Sequence, residues 1–181
     1  MSPFISIWAS PRLTIDRIKD SNWVNGPGLL VYLVLGINDI SEADVPAFIL
    51  NIQNVFMQNL SLLALGIVWG FLYRLIWVNL MFFIGKSLEG QATKRNIDTV
   101  LALSSTPEFL KFFYLAISLL VGGESLINFA PSYVVEIVCS ISSFVIAIIC
   151  LHHVQKFAYK YVILNIIMPL VVLIALAYLI F

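Results

Sequence analysis

Five apolar stretches, at residues 24–38, 55–84, 108–129, 133–151 and 158–181, constrain this chain more than any motif in it. An α-helix rises 1.5 Å per residue, so about 20 apolar residues cross a hydrocarbon core about 30 Å thick. The last two stretches have that length without interruption. Stretch 55–84 exceeds it and is expected to tilt or to break near its inner end, and 108–129 is interrupted by Gly122, Gly123 and Glu124. The first stretch is the shortest and opens on Gly26, Pro27 and Gly28; a short span is expected there, with a re-entrant hairpin as the alternative. No alternation of period two appears, which argues against a transmembrane barrel. The expected fold is therefore all-α: a polytopic transmembrane bundle of about five spans, with residues 1–181 forming one integral membrane domain.

Composition agrees, with 61% hydrophobic and 11% charged residues against about 45–50% and about 25% in soluble domains. The formal net charge is zero, so nothing points to nucleic acid as a partner. A signal peptide does not fit the first stretch, because about two dozen mixed residues precede it and acidic residues, not a small-residue cleavage site, follow.

Loop charges give the orientation, since Lys and Arg are retained on the cytoplasmic side. Arg12, Arg17 and Lys19 precede the first stretch; Lys86, Lys94, Arg95 and Lys111 fall between the second and third; Lys156 and Lys160 fall between the fourth and fifth. These are nine of the ten basic residues. The segment 38–54 carries Asp39, Glu42 and Asp44 without a basic residue, and 122–132 carries only Glu124. The N-terminus is expected on the cytoplasmic side and the C-terminus opposite. Ser10 and Pro11 introduce a short cytoplasmic helix within residues 1–22, read as a connector lying on the inner surface, with Ile15 and Ile18 on one side; a membrane- or partner-sensing amphipathic helix is the alternative. Thr106, Pro107 and Glu108 combine an N-cap hydroxyl, a first-turn proline and an acid near the positive helix end, which places the start of the third span. The stretch 85–107, the largest inner piece, is expected to be a solvated loop, with partner contact as the alternative.

The segment WASPRLTIDRIKD at residues 8–20, with Trp and Ser-Pro ahead of a short basic helix, resembles the entry motif of bacterial Yip-type (Ypt-interacting protein domain) membrane proteins. LALSSTPEFL at residues 101–110 resembles their approach to the third span, and the five-span plan is similar from end to end. The resemblance implies a small inner-membrane protein without an assigned activity in the bacterial branch. Eukaryotic relatives are associated with vesicle transport and lipid-modified small GTPases. This sequence lacks their Asp-Leu-Tyr-Gly-Pro segment and long cytoplasmic N-terminal region, which argues against GTPase binding.

Few residues suggest chemistry. Arg74 lies inside the second stretch, where an unpaired arginine costs about 2.5–3.5 kcal/mol on insertion scales. Either the span ends near it and the guanidinium reaches the inner headgroups, or the span continues to Gly85 and a partner is required. Snorkelling or a structural hydrogen-bond network is the expected role; a substrate or anion site is the alternative. Arg74, Asn79 and Glu136 form the candidate intramembrane polar site, although an Arg74–Glu136 pair needs one helix displaced in depth. Asn79, Asn128 and Asn165 suit interhelical hydrogen bonds. Asn165 stands four residues before Pro169, positioned to satisfy backbone groups that the proline frees. Gly66 and Gly70 form a G-x-x-x-G pair, expected to pack within the bundle.

His152 and His153 point roughly 100° apart on a helix, which does not suit a metal, and interfacial anchoring is expected of them. Cys139 and Cys150 are too far apart on one helix for a disulfide. No hydrolase, P-loop, zinc-protease, dinucleotide or haem signature is present, so no catalytic residue, metal or cofactor is assigned. The leading expectation is a non-catalytic role in membrane organisation, trafficking or transport. It contacts the bilayer and engages protein partners through 1–22 and 85–107. A small channel or transporter subunit using Arg74, and a membrane enzyme acting on lipid or peptide, are the alternatives.

Overall fold

The structure, a computed structural model, describes residues 2–19, 21–42, 47–122 and 133–180. The expected Glu124 and Asn128 positions, and nearly all of the 122–132 segment, lie outside the described residues. The described elements are helical: α1 Pro3–Ala9, α2 Pro11–Ile18, a 3-10 turn Trp23–Asn25, α3 Pro27–Glu42, α4 Ala47–Leu50, α5 Val55–Ser87, α6 Lys94–Ser104, α7 Glu108–Gly122, α8 Tyr133–Gln155 and α9 Tyr159–Ile180. Prolines open α1 and α2, where the missing N–H costs nothing. Asn54 Oδ1 caps α5 by accepting from the amides of Phe56 and Met57, and Thr93 Oγ1 accepts from Asn96 N at the start of α6. Lys156, at φ 60°, ends the run of α8 and lets α9 begin three residues later.

Among the described residues, three helices are long and apolar enough to cross a membrane: Val55–Ser87, Tyr133–Gln155 and Tyr159–Leu179. Pro27–Ile40 is apolar but shorter. They coincide with four of the five apolar stretches. Helix α5 runs unbroken through Arg74 to Ser87, without a break near its inner end.

The third region departs from expectation. Gln91 N donates to Gln155 O and Ala92 N to Gln155 Oε1, each at 3.2 Å, at one end of α8. Pro107 O meets Cys139 Sγ at 3.3 Å near the other end. Sixteen residues of α8 separate Gln155 from Cys139, about 24 Å of helix rise. The stretch read as a solvated loop thus climbs most of the bundle as α6, with every residue from Ile97 to Ser104 buried. Only its beginning, including Lys94 and Arg95, is exposed. The chain breaks at residues 105–107 and continues as α7. Thr106 closes α6 rather than capping α7, since its hydroxyl donates to Leu103 O at 2.8 Å. Lys111, counted above with the inner loop, sits in α7 beside Glu108.

The N-terminal segment is also more embedded than a surface connector. It forms two helices joined at Ser10, with the Thr14 hydroxyl 2.9 Å from Ser6 Oγ. Ile15 and Ile18 are buried as their spacing suggested, in the main core with Val100, Leu151 and Val154. Phe4 packs against both Trp23 and Phe109, with ring centroids 5.7 and 5.5 Å apart.

The α3–α5 contact is glycine-lined. A Cβ on Gly36 would lie 2.1 Å from Gly66 O and 2.4 Å from Gly70 N, and one on Gly70 would lie 2.2 Å from Tyr32 O. The G-x-x-x-G pair therefore packs within the chain, against a third glycine on α3.

Asn165 does not play its expected part. It is fully buried, and both side-chain amide atoms lack a hydrogen-bond partner among the described residues. It faces the α5–α8 junction, close to Gly85. An unmade buried hydrogen bond costs about 1–3 kcal/mol, so Asn165→Leu, of similar shape, is expected to leave stability unchanged or raise it by about 1–2 kcal/mol. Thermal unfolding in detergent checks this; a clear loss of stability would mean that the amide is partnered.

Candidate functional site

Arg74 enters from the middle of α5 and is matched within the chain. Its Nε lies 3.1 and 3.2 Å from the two Asp98 carboxylate oxygens, and Nη2 lies 2.6 Å from Asp98 Oδ2. Nη2 also donates to Asn25 Oδ1 at 2.8 Å. The guanidinium carbon sits 5.6 Å from the centroid of the Tyr32 ring, whose hydroxyl is 2.8 Å from Asp98 Oδ1. The Arg74 and Asp98 side chains are 22% and 11% exposed, so both charges are largely withdrawn from solvent and each depends on the other. Forked donation from a planar guanidinium to a carboxylate is the strong form of such a pair.

The network joins elements far apart in sequence. The 3-10 turn supplies Asn25, α3 supplies Tyr32, α5 supplies Arg74 and α6 supplies Asp98. The glycine seam brings α3 onto α5, while the climb of α6 lifts Asp98 to Arg74. Asp98, Tyr32 and Asn25 were absent from the sequence-derived candidates. A signal existed: Thr93 as N-cap, followed by Ile97, Val100, Leu101 and Ser104 at helical spacing, marks an amphipathic helix that carries Asp98.

The other candidates fall differently. Asn79 lines the same cleft as Arg74 and Asp98, and its side-chain amide donates to Leu75 O one turn earlier. Glu136 lies in the first turn of α8, and the carboxylate that meets Arg74 is that of Asp98. The structure therefore joins Arg74 and Asn79 but not Glu136, because α6, not the first turn of α8, packs beside the middle of α5.

A second charged pair accompanies the break between α6 and α7. Lys111 Nζ is 3.2 Å from Glu108 Oε2, and both side chains are nearly buried. Asn38 Nδ2 donates to Glu108 O at 2.9 Å, and Trp69 Nε1 to Asp39 Oδ2 at 3.1 Å. At the opposite end, Asp16 ties α2 to α8. Its carboxylate lies 2.8 Å from Lys19 Nζ and 2.9 Å from His153 Nε2. These contacts, Lys19 first, hold the Asp16 carboxyl below its ordinary range. The His152 ring stacks on Tyr159 at 4.1 Å. Among the described residues no group of three His, Cys, Asp or Glu side chains is placed to hold a metal ion. Cys139 and Cys150 are buried thiols that are not joined in a disulfide.

Long apolar helices, a glycine-packed seam and charges paired between helices define a multi-pass helical membrane protein. The sequence profile of the Yip1 domain matches residues 5–180, nearly the whole chain, and the chain belongs to that family. No match was found among curated proteins or among solved structures.

Proposed function

We propose that this Yip1-domain protein is a non-catalytic component of membrane organisation, trafficking or transport, of the bacterial type and resident in a cytoplasmic membrane. In this reading the chain crosses the bilayer five times through α3, α5, the broken α6–α7 unit, α8 and α9. The N-terminus is cytoplasmic and the C-terminus lies opposite. The excess of Lys and Arg at residues 12–19, 86–95 and 156–160 supports the orientation.

The observation that carries the reading is that Asp98 of the same chain balances the Arg74 charge. Its acid, amide and aromatic partners all come from the chain itself, so the charges serve to fix α3, α5 and α6 relative to one another. A catalytic pocket needs at least two acid-base or metal-binding groups converging on free space. Here Glu136 and the His152–His153 pair stand at opposite ends of α8, about 24 Å apart by helix rise, while Arg74 is already bonded to Asp98.

A broken helix beside buried charges also occurs in transporters, where the break lines a substrate site. At residues 105–108 polar groups instead bond inward, the Thr106 hydroxyl to Leu103 O and Asn38 Nδ2 to Glu108 O, which favours the organising role. Partners then meet the exposed beginning of α6 and the exposed faces of α1 and α2. Affinity capture from mild detergent is expected to recover the same partner in independent preparations. A chain that purifies alone every time, while folded, overturns the proposal.

A further inference from the structure

The cleft between α5 and the beginning of α6 has a volume of about 340 Å³, at the small end of the roughly 300–1,000 Å³ typical of ligand pockets. Arg74, Lys94, Asn79 and Asp98 provide its polar side, while Phe71 and Leu75 belong to its apolar side. Its charges do not cancel, since two basic side chains face one carboxylate. Arg74 bonds Asp98 and Asn25 through Nε and Nη2, which leaves the two N–H groups of Nη1 without a hydrogen bond among the described residues. The Lys94 ammonium likewise has neither an acidic nor a hydrogen-bond partner among them, and it is exposed. Two basic groups with unused donors around one small cavity suit a phosphate, which accepts from both at once.

The surroundings indicate where that phosphate comes from. Phe71 and Leu75 are exposed on α5, a helix long and apolar enough to cross a membrane, so hydrocarbon chains can lie along the same face that leads into the cleft. Lys94 marks the end of the bundle where Gln91 and Ala92 meet Gln155, the end that carries Lys86, Lys156 and Lys160. We propose that this cleft holds the headgroup of an anionic phospholipid from the leaflet at that end, with its phosphate between Lys94 and Arg74 Nη1 and its acyl chains along Phe71 and Leu75. The Asp98 carboxylate orients Arg74 and keeps its unused edge turned to the cleft.

The test is native mass spectrometry of the full chain in a neutral detergent, titrated with phosphatidylglycerol or phosphatidylcholine of identical acyl chains. Phosphatidylglycerol is expected to bind about fivefold more tightly, the increment of one basic side chain near an anionic lipid. Lys94→Gln is expected to bring the two lipids to parity, whereas Lys160→Gln, which removes a basic residue of α9 outside the cleft, preserves the preference. Asn79→Phe, which fills the cleft without changing its charge, is expected to abolish the preference too, so the test survives if either cleft variant fails to fold. Equal binding of both lipids to the unaltered chain overturns the proposal. So does a preference that survives in folded Lys94→Gln or Asn79→Phe, or that disappears in Lys160→Gln. Displacement of phosphatidylglycerol by inorganic phosphate alone overturns the lipid source and identifies a free-anion site.

Discussion

Asp98→Ala is expected to lower unfolding stability by about 3 kcal/mol, the low end of what removing one partner of a buried pair costs. The cause is the arginine left behind. Arg74 stays charged at any accessible pH, and without Asp98 its Nε and part of its Nη2 lose their acceptors while the side chain remains largely enclosed. Tyr32, fully buried, loses the carboxylate beside its hydroxyl at the same time. Arg74→Ala is expected to cost a similar amount, because it strands the carboxylate instead. The double change Arg74→Met with Asp98→Leu removes both charges and keeps much of the volume, and it is expected to restore most of the loss. Unfolding of the four proteins in mixed micelles measures how much of the loss the double change recovers. A double variant as unstable as either single one would show that neighbouring geometry, not an uncompensated charge, sets the cost.

Gly36→Val is expected to be more damaging still, with a loss of at least about 3 kcal/mol, beyond the usual 1–3 kcal/mol range for overpacking. The first added atom is enough to explain this, since it would stand 2.1 Å from one backbone atom of α5 and 2.4 Å from another. A side chain in the way can change rotamer, but a helix backbone cannot. The two helices must separate along the seam, and the separation pulls Tyr32 on α3 away from Asp98 and Arg74. Stability and the charged network should therefore fail together. Leu30→Ala, an exposed position on the same helix, is expected to change stability by less than about 0.5 kcal/mol. Size-exclusion profiles and thermal unfolding distinguish the two outcomes; a Gly36→Val protein as stable as Leu30→Ala would show that the helices do not touch at this point.

The contrast between α5 and α6 explains which parts were legible beforehand. The side chains of α5, α8 and α9 include many large apolar groups turned outward, among them Leu72, Phe83, Val145, Ile167 and Leu170. In a membrane-spanning helix that outward surface must be apolar, so length and hydropathy alone reveal it. The α6 sequence KRNIDTVLALS carries two basic residues, an acid and polar residues, and it resembles a loop by the same measure. It lies inside because the protein, not solvent, meets its polar groups: Asp98 finds Arg74 and Tyr32 on neighbouring helices, while Thr99 donates to Arg95 O and Ser104 to Leu101 O within α6. Hydropathy reports the medium a surface faces; it does not report which partner a polar group finds within the protein.

Arg74 shows the same boundary at a single residue. Its position alone required compensation, because a lone arginine in an apolar helix is costly, and that requirement was readable from the sequence. The identity of the compensating groups was not, since Asn25, Tyr32 and Asp98 lie 49, 42 and 24 residues away along the chain. By itself the sequence determined the helical membrane class, the long spans at 55–84, 133–151 and 158–181, and the need to compensate one buried charge, because these follow from local composition and length. Only the tertiary structure decided that α6 climbs beside α8, that Gly36 meets Gly66 and Gly70, and that Asp98 reaches Arg74, because each is a pairing between distant segments and depends on which surfaces fit.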